Sequence, residues 1–117
     1  MSKLSRDKGA EFEREVAKLF HKLGYPDAKR RLGQARDSGH DLDDTGRFVV
    51  ECKRRRTTIE NEAWLAQVQQ SARRSKLPIV VARSDGGSPY VLMTWKTFTE
   101  IAQHVPDDDR LTLEDLL

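Results

Sequence analysis

The chain has 117 residues, 34% of them charged, with a formal net charge of +2, which allows one core but not two. No apolar run approaches the roughly 20 residues that a membrane-spanning helix needs, and no signal peptide is visible. Cys52 is the only cysteine, which excludes an internal disulfide and makes the reducing cytoplasm the expected compartment.

Ser5 is placed to cap a first helix over residues 6–23, where Phe12, Val16, Leu19, Phe20 and Leu23 recur at helical spacing. Gly24 followed by Pro26 stops it. A short strand is expected over 28–32, then a polar loop, GQARDSGHD. Two short strands follow around Thr45-Gly46, the second running from Arg47 to about Arg54. Thr57 and Glu60 have capping-box spacing and open a second helix through about Ser75, with Trp64, Leu65, Val68 and Ala72 as its apolar stripe. The run LPIVVAR reads as a buried strand, Asp85-Gly86-Gly87 as a turn, and PYVLMTW as a further strand. Residues 96–104 read as a short helix, and LTLEDLL as a terminal helical turn. The order αβββαββα predicts a small α/β domain over residues 1–106, a mixed sheet flanked by helices, followed by an acidic tail over 107–117.

Charge is distributed unevenly along this order. Residues 1–83 hold 19 Lys/Arg against 12 Asp/Glu, whereas residues 84–117 hold 2 against 7. A basic body implies a polyanionic partner, and the clusters KRR at 29–31 and KRRR at 53–56 favour nucleic acid.

Strand side chains alternate between faces, so Val49, Glu51 and Lys53 point one way and Phe48, Val50 and Cys52 the other. The turn at Thr45-Gly46 folds Asp41 back beside Glu51 and Lys53. Two carboxylates placed together and half buried repel, and a divalent cation removes that penalty. Mg²⁺ (with Mn²⁺ in substitution) suits one or two carboxylates plus water and phosphate oxygens, and a neighbouring lysine can position a metal-bound water. Glu-x-Lys alone is usually the solvent face of a strand; the Asp ten positions upstream and the flanking basic clusters set this instance apart. His21, His104 and Cys52 have no zinc-ligand spacing.

Asp41, nine residues, then Glu51-Cys52-Lys53 resembles the motif of the PD-(D/E)xK nuclease superfamily, with His40 where those proteins usually carry proline. The segment KGAEFEREVAKLFHKLGY, residues 8–25, is similar to the opening helix of Holliday junction resolvase-like members. The resemblance spans about residues 8–84 and implies a restriction-endonuclease-like core. It implies Asp41 and Glu51 as metal ligands, the Cys52 carbonyl as a backbone ligand and Lys53 as the catalytic lysine. It also implies one acid on the first helix. At 100° per residue, Glu13 lies about 20° beyond Phe20 at the edge of the apolar stripe. Glu15 and Glu11 lie about 40° and 80° off the other edge, and alignment on Lys8-Gly9 selects Glu13 too. Gln67 matches a helix glutamine of related nucleases, with a merely polar face as the alternative. Ser38 matches a loop serine near the scissile phosphate, with ordinary turn chemistry as the alternative.

Arg30, Arg31, Arg36, Arg54, Arg55 and Arg56 flank this edge and are candidate phosphate contacts. Trp64 and Trp95 are expected in the core rather than stacked on bases. The expected function is a Mg²⁺-dependent, structure-selective endonuclease resolving four-way junctions as a homodimer, since two symmetric cuts need two sites. The alternatives are the same fold cutting flaps, damaged sites or restriction targets, or a non-catalytic DNA-binding module.

Overall fold

A computed structural model describes residues 3–32, 40–57, 62–73 and 75–106. Helix α1 (Lys3–Lys22) starts one turn earlier than its cap predicted and buries Phe12, Glu13, Val16, Ala17 and Phe20 along one face. Its end is fixed by glycine at φ 104°: Gly24 N–H donates to His21 O (3.1 Å) and Tyr25 N–H to Phe20 O (3.0 Å). This bond pair satisfies the last carbonyls, and the rings of Tyr25 and Phe20 pack with centroids 5.7 Å apart.

Strands β1 (Lys29–Arg30) and β2 (Leu42–Asp43) form an antiparallel pair. A turn through Asp44 and Gly46, both at positive φ, leads into β3 (Phe48–Arg55), the strand of the Glu-x-Lys motif. Helix α2 (Glu62–Ser71) carries the chain to β4 (Leu77–Ser84), parallel to β3, as a strand–helix–strand crossover requires. Glu60 of the expected capping box lies outside the described residues. The helix also stops short of the expected Ser75, which instead takes a positive φ in the turn into β4.

Strand β5 (Tyr90–Leu92) pairs antiparallel with β4, giving a mixed sheet in the order β3-β4-β5. It is shorter than the apolar run suggested. Thr94 caps helix α3 (Trp95–Ala102) by accepting from Thr97 N–H, so Trp95 begins a helix instead of ending a strand. The element order is the expected αβββαββα. The acidic tail lies outside the described residues.

The sheet is covered on both faces. Under α1, Phe12, Val16 and Phe20 pack on Val50, Ile79 and Val81; under α2, Trp64 and Val68 pack on Val49, Val80 and Ala82. Trp64 thus sits in the core as expected, whereas Trp95 is 75% exposed. Among the described residues no helix is long and apolar enough to cross a membrane.

The turn before β3 is tightly built. A Cβ on Gly46 would stand 2.6 Å from Tyr25 Cε1, whose ring is wedged between Phe20 and Phe48, and φ there is +63°. Gly46→Ala should therefore cost at least about 1 kcal/mol and lower the melting temperature by roughly 4–8 °C. An unchanged melting temperature would show that the ring cluster does not fix this turn.

Candidate active site

The site begins with an unpaired strand edge. β4 occupies one side of β3, leaving the main-chain groups of Val50 and Cys52 on the other. Asp41 fills that edge twice. Its N–H donates to Val50 O (2.8 Å), and its Oδ2 accepts from Cys52 N–H (2.7 Å). Its own carbonyl accepts from Arg31 N–H (2.8 Å), tying the β1–β2 pair to the sheet. The sharp turn through Gly46 supplies the offset that brings residue 41 level with residues 50–52.

Alternation along β3 then places Glu51 and Lys53 on the α2 face, beside Asp41. Lys53 Nζ lies 3.1 Å from Glu51 Oε1 and donates to Gln67 Oε1 at 3.0 Å. Gln67 reaches it because it stands three residues after buried Trp64 and one before buried Val68, at the rim of the apolar stripe of α2. Asp41 and Glu51 are both buried, 8% and 6% exposed. Burial pushes the Glu51 carboxyl up to about 7, the neighbouring Asp41 carboxylate adds to the rise, and Lys53 opposes it.

Four of the sequence candidates, Asp41, Glu51, Lys53 and Gln67, thus come together. Glu13 is engaged by Arg30. Arg30 is paired across the strands with Leu42, and cross-strand partners share a face, so Arg30 turns with Leu42 toward α1. There its Nε donates to Glu13 Oε1 at 3.1 Å, and Glu13 is only 2% exposed. The wheel placed Glu13 correctly at the buried rim; its arginine partner, seventeen residues on, had no sequence signal.

The basic clusters are largely engaged within the molecule. Arg31 Nη1 lies against the His40 ring and within 3.8 Å of Asp43 Oδ1. Arg54 turns to the α1 face and meets Asp85 at 2.6 Å, holding that carboxyl below the usual range with help from Lys8. The Arg55 guanidinium stands 5.6 Å over the Trp64 ring, a cation–π contact. Arg56 is exposed. Arg36 and Ser38 lie outside the described residues. An ion pair that the sequence did not suggest, Arg83 with Glu15, flanks the end of β4 at 2.5 Å.

Could this site hold a metal? Among the described residues no three acidic, histidine or cysteine side chains gather as a ready-made centre. The Asp41–Glu51 pair nevertheless fits Mg²⁺, which takes one or two protein carboxylates and fills its shell with water and phosphate oxygens. A carboxyl driven toward neutrality by burial, with a neighbouring carboxylate adding to the rise, is the electrostatic deficit that such an ion removes. In an extended strand a residue's C=O leaves by the same edge as its N–H, so the Cys52 carbonyl emerges on the Asp41 side.

A model of the family described as "Phage putative PDDEXK endonuclease" matches residues 4–113. No curated protein and no solved structure matches the chain.

The raised Glu51 has a consequence for stability. A carboxyl whose folded value is about 7 against an ordinary 4.5 favours folding fully below 4.5 and loses that contribution as pH rises through about 7. The metal-free protein should lose several degrees of melting temperature between about pH 5 and pH 8, and Glu51→Gln should flatten that decline. Parallel curves for the two proteins would remove the carboxylate pair as its cause.

Proposed function

The chain belongs to this phage PDDEXK endonuclease family, and from that premise we propose a divalent-metal-dependent DNA endonuclease that cuts at the outer edge of β3. The observation that carries the reading is the packing of Asp41 against Glu51 with Lys53 in ion-pair contact. Phosphate binding alone would disfavour two buried acids, so this set argues for hydrolysis over a purely binding role.

Asp41, Glu51 and the Cys52 carbonyl are the proposed donors for Mg²⁺, or Mn²⁺ in its place, with Glu13 exchanging its Arg30 partner to complete the set. The ion, when bound, polarises a phosphoryl oxygen and lowers the pKa of water. Lys53, held by Gln67, presents its ammonium beside the carboxylates, where it orients the attacking water and offsets charge growing on the phosphate. The water oxygen adds to phosphorus and gives up a proton to solvent, a P–O ester bond breaks, and the departing oxygen takes up a proton from solvent. Arg55 and Arg56, exposed at the end of β3, are the phosphate contacts that position favours. Arg30, Arg31, Arg36, Ser38 and Arg54 remain proposed contacts of the DNA. The substrate we propose is branched DNA, foremost the four-way junction, cut by a two-fold dimer in the host cytoplasm.

Asp41→Asn, Glu51→Gln and Lys53→Met should each slow Mg²⁺-dependent cleavage by at least about a hundredfold. The two acid-to-amide variants should still bind DNA, since they remove charge that repels phosphate. Activity within tenfold of wild type in any of them would sink the proposed site.

Substrate choice is tested separately. A labelled four-way junction should show paired nicks at symmetric positions on opposing strands, and linear duplex of the same sequence should be cut far less. Equal cutting of both would leave a nuclease and remove the junction preference.

A further inference from the structure

Positive charge that the fold leaves unpaired gathers at a second place, away from the arginine clusters. A groove of about 490 Å³ opens between the end of α2 and the start of α3, where β3 and β4 begin. Its charged walls are Arg47, Arg73, Lys76 and Lys96 against a single carboxylate, Glu100, and Arg47 takes that carboxylate at 4.0 Å. Arg73, Lys76 and Lys96 are exposed, and among the described residues no ion pair engages any of them. Lys76 has only a long bond, 3.4 Å, to Gly46 O. A hollow of about 500 Å³ beside the turn before β3 shares Arg73 and Lys76 with the groove, so the two form one trough. The acids of that hollow are engaged too: Asp44 by Lys29 at 3.1 Å, and Asp43 by Arg31 and His40.

We propose that this trough holds the phosphate backbone of the DNA at a distance from the cut. Unpaired cations lining a concave surface suit a polyanion. The lining of the groove includes no aromatic ring on which a base could stack, so it fits backbone rather than a base-bearing nucleotide. The trough also lies in line with the metal edge. Leu77 N–H donates to Arg47 O (2.8 Å), which sets Lys76 level with Arg47 where the two strands begin. Lys53 stands six residues further along β3, roughly 20 Å away at about 3.3 Å per residue. A DNA strand carries one phosphate per ~3.4 Å of axis, so the trough meets the backbone about six base pairs from the scissile phosphate. Helix α2 joins the two places: Gln67 touches Lys53, and Arg73 follows six residues later. The contact deepens the nuclease reading, on which it rests. Phosphate contacts fix register and orientation without reading sequence, and here they align the substrate on the cutting edge.

Fluorescence anisotropy tests it, using the full-length protein without metal and a labelled linear duplex long enough to span both places. Arg73→Gln, Lys76→Gln and Lys96→Gln together should weaken binding at least about tenfold at low salt and lower the log–log salt slope by roughly 2 to 3. A matched variant on α1, Arg6→Gln with Lys18→Gln and Lys22→Gln, should change both far less. All six side chains are exposed, so circular dichroism should not change in either. Equal losses in the two variants, or an unchanged slope in the first, would overturn the site. Inorganic tripolyphosphate supplies the competing arm. If the trough variant lost affinity for it yet bound duplex as wild type does, the trough would belong to a small polyphosphate and the proposal would fall. Nicking of the same duplex by wild type in Mg²⁺ reports on the metal edge; its absence would count against the nuclease reading, and the binding result would still decide the trough.

Discussion

Asp41 closes the open edge of β3, and the rest of the arrangement follows from that closure. A sheet edge with unpaired main-chain groups must be satisfied by something. Here one residue does so with both its peptide N–H and its carboxylate. Because the carboxylate is spent on a strand N–H, it is fixed in place rather than free to swing. It is fixed beside Glu51, whose position is set by the core on both faces of the strand. The carboxylate pair is thus a by-product of edge closure, and its mutual repulsion is imposed by the fold.

Much of this was legible in the sequence because it depends on local periodicities. The two-residue alternation of β3 separates Cys52 from Glu51 and Lys53, and the Thr45-Gly46 turn brings Asp41 level with them. The 3.6-residue period of α1 put Glu13 at the buried rim and that of α2 put Gln67 at the border of Trp64. What the sequence did not show arises where distant segments meet. Glu13 with Arg30, Arg54 with Asp85 and Arg83 with Glu15 depend on how α1 lies across the sheet, which no spacing encodes. The strand expected through Trp95 failed for a local reason. The capping signal of Thr94, whose side chain accepts from Thr97 N–H, outweighs the apolar run.

The ion pairs also change the meaning of the basic composition. Arg30, Arg31, Arg54 and Arg83 each lean on an acidic group, so the clusters that look like free positive charge are partly structural. Of these four, the Glu13–Arg30 pair is the most buried and has the most stability at stake. Removing either Glu13 or Arg30 alone would strand a charge away from water, whereas exposed pairs such as Lys29 with Asp44 contribute little.

The strand order β3-β4-β5 separates two kinds of evolutionary freedom. Only β4 lies between the polar edge at β3 and the apolar one at β5, so they are about 10 Å apart in the plane of the sheet, yet they share few side chains. Substitutions along β5 and α3 can accumulate while Glu51 and Lys53 on β3 stay in place. A change at the apolar edge can thereby alter what that edge meets without disturbing the carboxylates at the polar one.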